Sequence, residues 1–229
     1  MTLSEIEQTA PGVWKITPSG GSAFFLRGTY LASSPQDFLC PGTPASDLRD
    51  SDSSAPDPLG EACASPFPLE LSDEQYESLR SAALAYAAEQ AAMAYLARAE
   101  QCRTALTAKL GKKGLAAQDI ERALDYLESC GYLDDRRFAG AWLRSRAINH
   151  AEGRRRLGAE LAARGIARED ARAALDEFFS GHDEGELCRK ALERSMKTCR
   201  DRNRLFRSLL RKGFTAAEIT AALREAGLT

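Results

Sequence analysis

Arginine is the residue type best placed to do chemistry in this chain. Arg200, Arg204, Arg207 and Arg211 follow at intervals of 4, 3 and 4, which sets four guanidinium groups on one stripe of a helix. Leu205, Phe206, Leu209 and Leu210 fall on roughly the opposite face, so this helix is amphipathic. Upstream, Arg154, Arg155 and Arg156 follow Gly153 at a predicted helix start. Positive charge there opposes the helix dipole, and a residue that breaks a local rule is a candidate for function. Arg144, Arg146 and Arg164 are further basic candidates in that region, and Lys212 follows Arg211. Lys112 and Lys113, near Lys109, form a weaker cluster at a helix end, where dipole compensation explains them equally well. Guanidinium pairs with phosphate and with carboxylate. These residues therefore point to a polyanion or an acidic protein surface.

Nothing comparable points to catalysis. Asp134 with Asp135, and Asp183 with Glu184, are the paired carboxylates a hydrolase or nuclease would need. No nucleophile–base pair or metal-ligand spacing accompanies them, and helix capping explains Asp134 and Asp135 better. The six cysteines are scattered without a CxxC pair, and the two histidines, His150 and His182, lie far apart. No metal, no cofactor and no disulfide framework are expected. The N-terminus lacks a secretory signal and no 18-residue apolar stretch exists, so the expected location is the cytoplasm, without a membrane partner.

The elements that must hold these arginines are written three times. Arg103-x2-Leu106-x3-Leu110-x3-Gly114-Leu115-x8-Leu124 aligns without gaps on Arg154, Leu157, Leu161, Gly165, Ile166 and Leu175. It aligns again on Arg202, Leu205, Leu209, Gly213, Phe214 and Leu223. Each copy reads as three helical pieces: 74–99, 101–113 and 117–129, then 135–149, 151–164 and 168–179, then 184–197, 200–212 and 215–226. Leu at i and i+4 marks one buried face. Gly114, Gly165 and Gly213 suit the left-handed residue that ends a helix. The joining segment has the same logic. Gly131 ends a helix, Asp134 caps the next, and Leu133 with Phe138 forms a hydrophobic staple. Tyr132 is left to pack between units.

The expected architecture is mainly α, with three tandem three-helix repeats in an elongated, curved array and a small N-terminal module containing a β-hairpin. Residues 1–32 form that module, with strands near 13–17 and 23–27 and Thr29-Tyr30-Leu31 as a candidate extension of the second. Residues 33–70, rich in Ser, Pro and Asp, read as a loop or linker. The repeats then occupy 71–130, 131–180 and 181–229. Charge divides the same way. Residues 1–97 carry 4 Lys+Arg against 13 Asp+Glu, whereas residues 98–229 carry 27 against 20.

Gly131-Tyr-Leu-Asp-Asp-Arg-Arg-Phe-Ala139 resembles the Gly-Tyr-Leu-(Asn/Asp)-Asp-x-x-Phe-Ala motif of the bacterial RecX family, regulators of the RecA recombinase. Gly153-x-x-Arg156, Glu160-Leu161-x3-Gly165-Ile166, Tyr95-Leu96-x-Arg98, Arg103-x-x-Leu106 and Arg211-Lys212-Gly213-Phe214 follow in the family's order. The first repeat departs from the pattern, with Ala99, Cys102 and Ala105 where Arg, Ser and Glu are common. The resemblance implies a non-enzymatic protein that lies along the groove of the RecA–single-stranded DNA filament. It would suppress ATP hydrolysis, strand exchange and coprotease activity. The implied partners are RecA and single-stranded DNA, with double-stranded DNA as a second nucleic acid, and the expected state is a monomer. An autonomous DNA-binding repeat protein is the alternative reading of the same basic faces.

Overall fold

The computed structural model describes residues 2–31 and 67–228, so most of the Ser/Pro/Asp-rich segment lies outside the described residues. The chain forms two compact units. One comprises residues 1–91 with 114–123, and the other residues 92–113 with 124–229.

The first unit holds an antiparallel sheet of order β3-β2-β1-β4. Its strands are β1 (Thr2–Ala10), β2 (Val13–Pro18), β3 (Phe24–Arg27) and β4 (Leu69–Glu70). The expected hairpin is present as β2 and β3, with Ile16 opposite Phe24 and Val13 opposite Arg27. It is flanked by β1, a strand the sequence reading did not anticipate. Only Leu3 of β1 is fully buried, so its alternation is too weak to signal a strand. Residues Gly28–Tyr30 form one 3-10 turn rather than extending β3. That turn carries the Tyr30 hydroxyl to Glu89 of helix α1 (Asp73–Leu96), at 2.9 Å. Glu89 also accepts two hydrogen bonds from Arg27, at 2.8 and 2.5 Å. The buried carboxylate is thereby fully paired, as its 2% exposure requires. Ser72 caps α1 by accepting the Gln75 N–H at 3.2 Å, and Gln75 returns the bond to the Ser72 N–H.

The remaining helices are α2 (Arg103–Gly111), α3 (Ala117–Ser129), α4 (Asp135–Asn149), α5 (Arg154–Ala162), α6 (Arg168–Ser180), α7 (Glu184–Met196), α8 (Arg202–Arg211) and α9 (Ala216–Glu225). They fall where the repeat places them, so each copy has three helices. The repeated leucines are core. Leu106, Leu110, Leu161 and Leu209 have no exposed surface, and Leu157 and Leu205 very little. One hydrophobic cluster draws mainly on α4, α5 and α6, with Cys102 from before α2, and a second mainly on α7, α8 and α9, with Ala151 from before α5.

Candidate functional site

The Gly131–Ala139 motif turns out to be a junction of helix ends. Gly131 takes a φ of 73°, and the N–H groups of Tyr132 and Leu133 both return to the Leu127 carbonyl. Asp134 caps α4 by accepting the Arg137 N–H at 2.9 Å. Asp135 caps a different helix: it accepts the Arg103 N–H at the start of α2, at 2.8 Å. Burial pushes the Asp135 carboxyl above its ordinary range, although that hydrogen bond acts the other way. Arg137 completes the junction, reaching the carbonyls of Gly131 and Tyr132 and the Glu100 carboxylate at 2.7 Å. Leu133 is buried and Phe138 half-buried against the second repeat's core. Tyr132, expected to pack between units, is instead 54% exposed, because its backbone is spent on the helix stop and its ring points to solvent.

The middle helices of the repeats meet end to end. A Cβ at Gly165, which ends α5, would lie 2.9 Å from Cβ of Thr104 at the start of α2, and the Cys102 thiol donates to the Arg164 carbonyl at 3.6 Å. The same arrangement recurs one repeat on. The Gly153 N–H at the start of α5 donates to the Lys212 carbonyl at the end of α8, at 2.9 Å. A Cβ on Gly153 would lie 2.6 Å from the Gly213 carbonyl carbon, and one on Gly213 would lie 2.6 Å from Cβ of Arg156. So Gly165 and Gly213 each also provide the gap that admits the start of the preceding repeat's middle helix. This accounts for the arginine triplet. Its helix start abuts the carbonyl end of α8, where positive charge is favoured, and Arg156 Nη1 donates to the Arg211 carbonyl at 3.4 Å. The local rule that looked broken is met by tertiary structure.

The arginines sort into two classes. Arg154 lies between Asp176 (2.5 Å) and Glu184 (3.1 Å), with its guanidinium 4.7 Å from the Phe179 ring centre. Its counterpart Arg103 is likewise held by Asp125 at 2.6 Å and Glu128 at 2.7 Å. The repeated arginine is thus a strut in the first two copies. Arg146, Arg156 and Arg164 belong to one network. Arg146 and Arg156 both bind Glu152 at 2.8 Å, and Arg164 binds Glu160 at 2.9 Å. The Trp142 ring lies under both Arg146 and Arg164, at 5.5 and 4.5 Å. Burial opposes ionisation of Glu152, but the Arg146 and Arg156 bonds and charges outweigh it and hold the carboxyl below its ordinary range. Glu152 and Trp142 were absent from the sequence reading, and Glu160 and Arg137 stood there only as motif positions without a role. The Glu152, Arg156, Glu160, Arg164 spacing of four was a readable signal for ion pairing along a helix.

The second class is exposed. Arg144, Arg155, Arg200, Arg204, Arg207 and Arg211 make no side-chain hydrogen bond or ion pair among the described residues. Arg204, Arg207 and Arg211 lie on α8 as predicted, whereas Arg200 falls before the helix, because Asp201 caps it by accepting the Arg204 N–H. Arg155 and Arg211 line one groove with Arg156, Ala159, Leu210 and Gly213. Arg144 lies apart, beside Phe178 and His182. Lys212 is half-buried and reaches the Ser195 hydroxyl at 3.4 Å, Lys113 lies over the Tyr95 ring, and Lys112 is exposed. Burial pushes the Cys188 thiol up to about 11, which leaves it inert. The described residues contain no group of three or more potential metal ligands. No described helix is long and apolar enough to cross a membrane.

Comparison with known proteins gives this surface its context. Residues 134–175 match the family model "RecX, second three-helix domain". The chain is 36% identical over 151 residues to a regulatory protein RecX of Treponema pallidum, covering 66% of this chain and 92% of that one. It is 32% identical over 136 residues to a regulatory protein RecX of Thermobifida fusca, covering 57% and 73%. A crystal structure of a regulatory protein RecX superimposes with a TM-score of 0.65 at 22% identity, covering 96% and 97% of the two chains. RecX from Lactobacillus salivarius gives 0.56 at 20% identity, covering 64% and 98%. On the extent of the Treponema match, this chain belongs to the RecX family of regulatory proteins.

Proposed function

We propose that the chain binds in the groove of the RecA–single-stranded DNA filament and regulates it. The main effect is inhibition of ATP hydrolysis, strand exchange and coprotease activity, which tunes recombination and the SOS response. It acts in the cytoplasm as a monomer, by binding alone, without a catalytic residue or cofactor. The three repeats, 71–130, 131–180 and 181–229, are its binding units. The observation that carries this reading is the α8 row. Arg204, Arg207 and Arg211, with Arg200 just before the helix, are exposed and unneutralised, whereas Arg103, Arg137, Arg146, Arg154, Arg156 and Arg164 each have a carboxylate. A filament of recombinase and DNA offers both anions that guanidinium recognises.

Replacing Arg204 and Arg207 together by Gln tests the row. Both side chains are exposed, so helicity stays unchanged, and inhibition of the recombinase ATPase weakens about tenfold, one or two charge-assisted bonds being worth that much. Full inhibition by the double variant would remove the row from the binding surface.

A further inference from the structure

We propose that the groove between the start of α5 and the end of α8 receives an acidic peptide segment of the recombinase that also carries an apolar side chain. This rests on the filament-binding reading above, and it assigns the groove to protein rather than to DNA. Two features of the groove coincide. Leu210 remains 44% exposed among arginines, and Arg155 and Arg211 have no counter-charge. Arg103, Arg137, Arg146, Arg154, Arg156 and Arg164, by contrast, each have a carboxylate at 2.5–2.9 Å.

The molecule shows elsewhere how such a site is completed. Around Arg154, two carboxylates take the guanidinium edge while an aromatic side chain covers its face. A partner segment with one carboxylate and one apolar side chain completes Arg155, Arg211 and Leu210 in the same way. Arg156 is already taken by Glu152 and Glu160 and holds the groove wall in place. The floor is fixed by the Gly153–Lys212 hydrogen bond and the glycine contact beneath it. DNA suits the groove poorly. Phosphate would meet Arg155 and Arg211 but not Leu210, and no aromatic ring lines the groove to stack a base. Arg204 and Arg207 on α8, and Arg200 just before it, lie outside this groove and remain available to phosphate.

The test compares full-length wild type, Leu210→Ser and Arg155→Gln on two probes, bare labelled poly(dT) and a recombinase filament assembled on the same poly(dT). Both sites are exposed, and circular dichroism confirms that the variants keep their helicity. Should Leu210→Ser lose helicity, Arg155→Gln alone decides. The expected result is that each variant binds the filament about tenfold more weakly and bare poly(dT) unchanged. Equal losses on both probes would put DNA in the groove and overturn the proposal, as would unchanged filament binding. A wild-type protein with no preference for the filament would instead overturn the filament reading itself.

Discussion

Asp135 does for a neighbouring repeat what Asp134 does for its own helix, and the two differ in what they cost. Asp134 is a cap in ordinary position, whereas Asp135 is half-buried, and that partial burial raises its carboxyl's pKa. A folded-state pKa above the unfolded value means that its contribution diminishes as pH rises through that window. Asp135→Ala removes the only side-chain acceptor for the Arg103 N–H and costs about 1 kcal/mol. Asp135→Asn keeps an acceptor without the buried charge, so urea denaturation at neutral pH finds it close to wild type. Glu152 behaves in the opposite sense. Its folded pKa lies below the unfolded one, so its stabilisation is complete above the ordinary glutamate range and is lost as pH falls through the folded value. Glu152→Gln is therefore about 2 kcal/mol less stable than wild type at pH 7. The gap closes below the ordinary glutamate pKa of about 4.3, and a gap that persisted in acid would refute the assignment. At this scale the sequence revealed types but not partners. Asp134 was legible as a cap because its target lies three residues away, whereas Asp135 meets a backbone N–H 32 residues away.

At the scale of elements, the helix-ending glycine does one job in the first copy and two in the others. Gly114, Gly165 and Gly213 all have φ near 80–90°. A Cβ meets nothing within 4 Å at Gly114 but overlaps the start of the preceding repeat's middle helix at Gly165 and Gly213. Substitution by Ala separates the two jobs. Gly114→Ala carries only the left-handed penalty, about 1 kcal/mol. Gly165→Ala and Gly213→Ala add an overlap with Thr104 or with the Arg156 backbone, for about 3 kcal/mol each. Equal costs at all three positions, measured by chemical denaturation, would show that the end-to-end contact is not tight. The helices and their stops were legible because leucine spacing and glycine are local signals. The contact between helix ends was not, because it joins residues some 60 positions apart and leaves no periodic trace. Strand β1 was missed for a related reason: sheet pairing, rather than its own alternation, makes it a strand.

For the whole molecule, the two-way charge division in the sequence proves to be a guide to partners only after the structure has discounted the paired arginines. Arg146, Arg154, Arg156 and Arg164, all first read as candidates for a partner, serve the fold. Arg155 and the α8 arginines are left without a carboxylate, and the proposed binding surface rests on them. That surface commits the account to a quantitative order of events. If the chain acts on the recombinase filament, ATPase inhibition precedes any coating of free DNA. The decisive measurement is a titration of wild-type protein against recombinase ATPase on poly(dT), run beside its binding to bare poly(dT) at several salt concentrations. The account predicts half-inhibition at a concentration well below that needed to cover the bare strand, with the bare-strand affinity falling steeply as salt rises. Half-inhibition that coincides with bare-strand saturation, and follows it at every salt concentration, would contradict it and leave an autonomous DNA-binding protein.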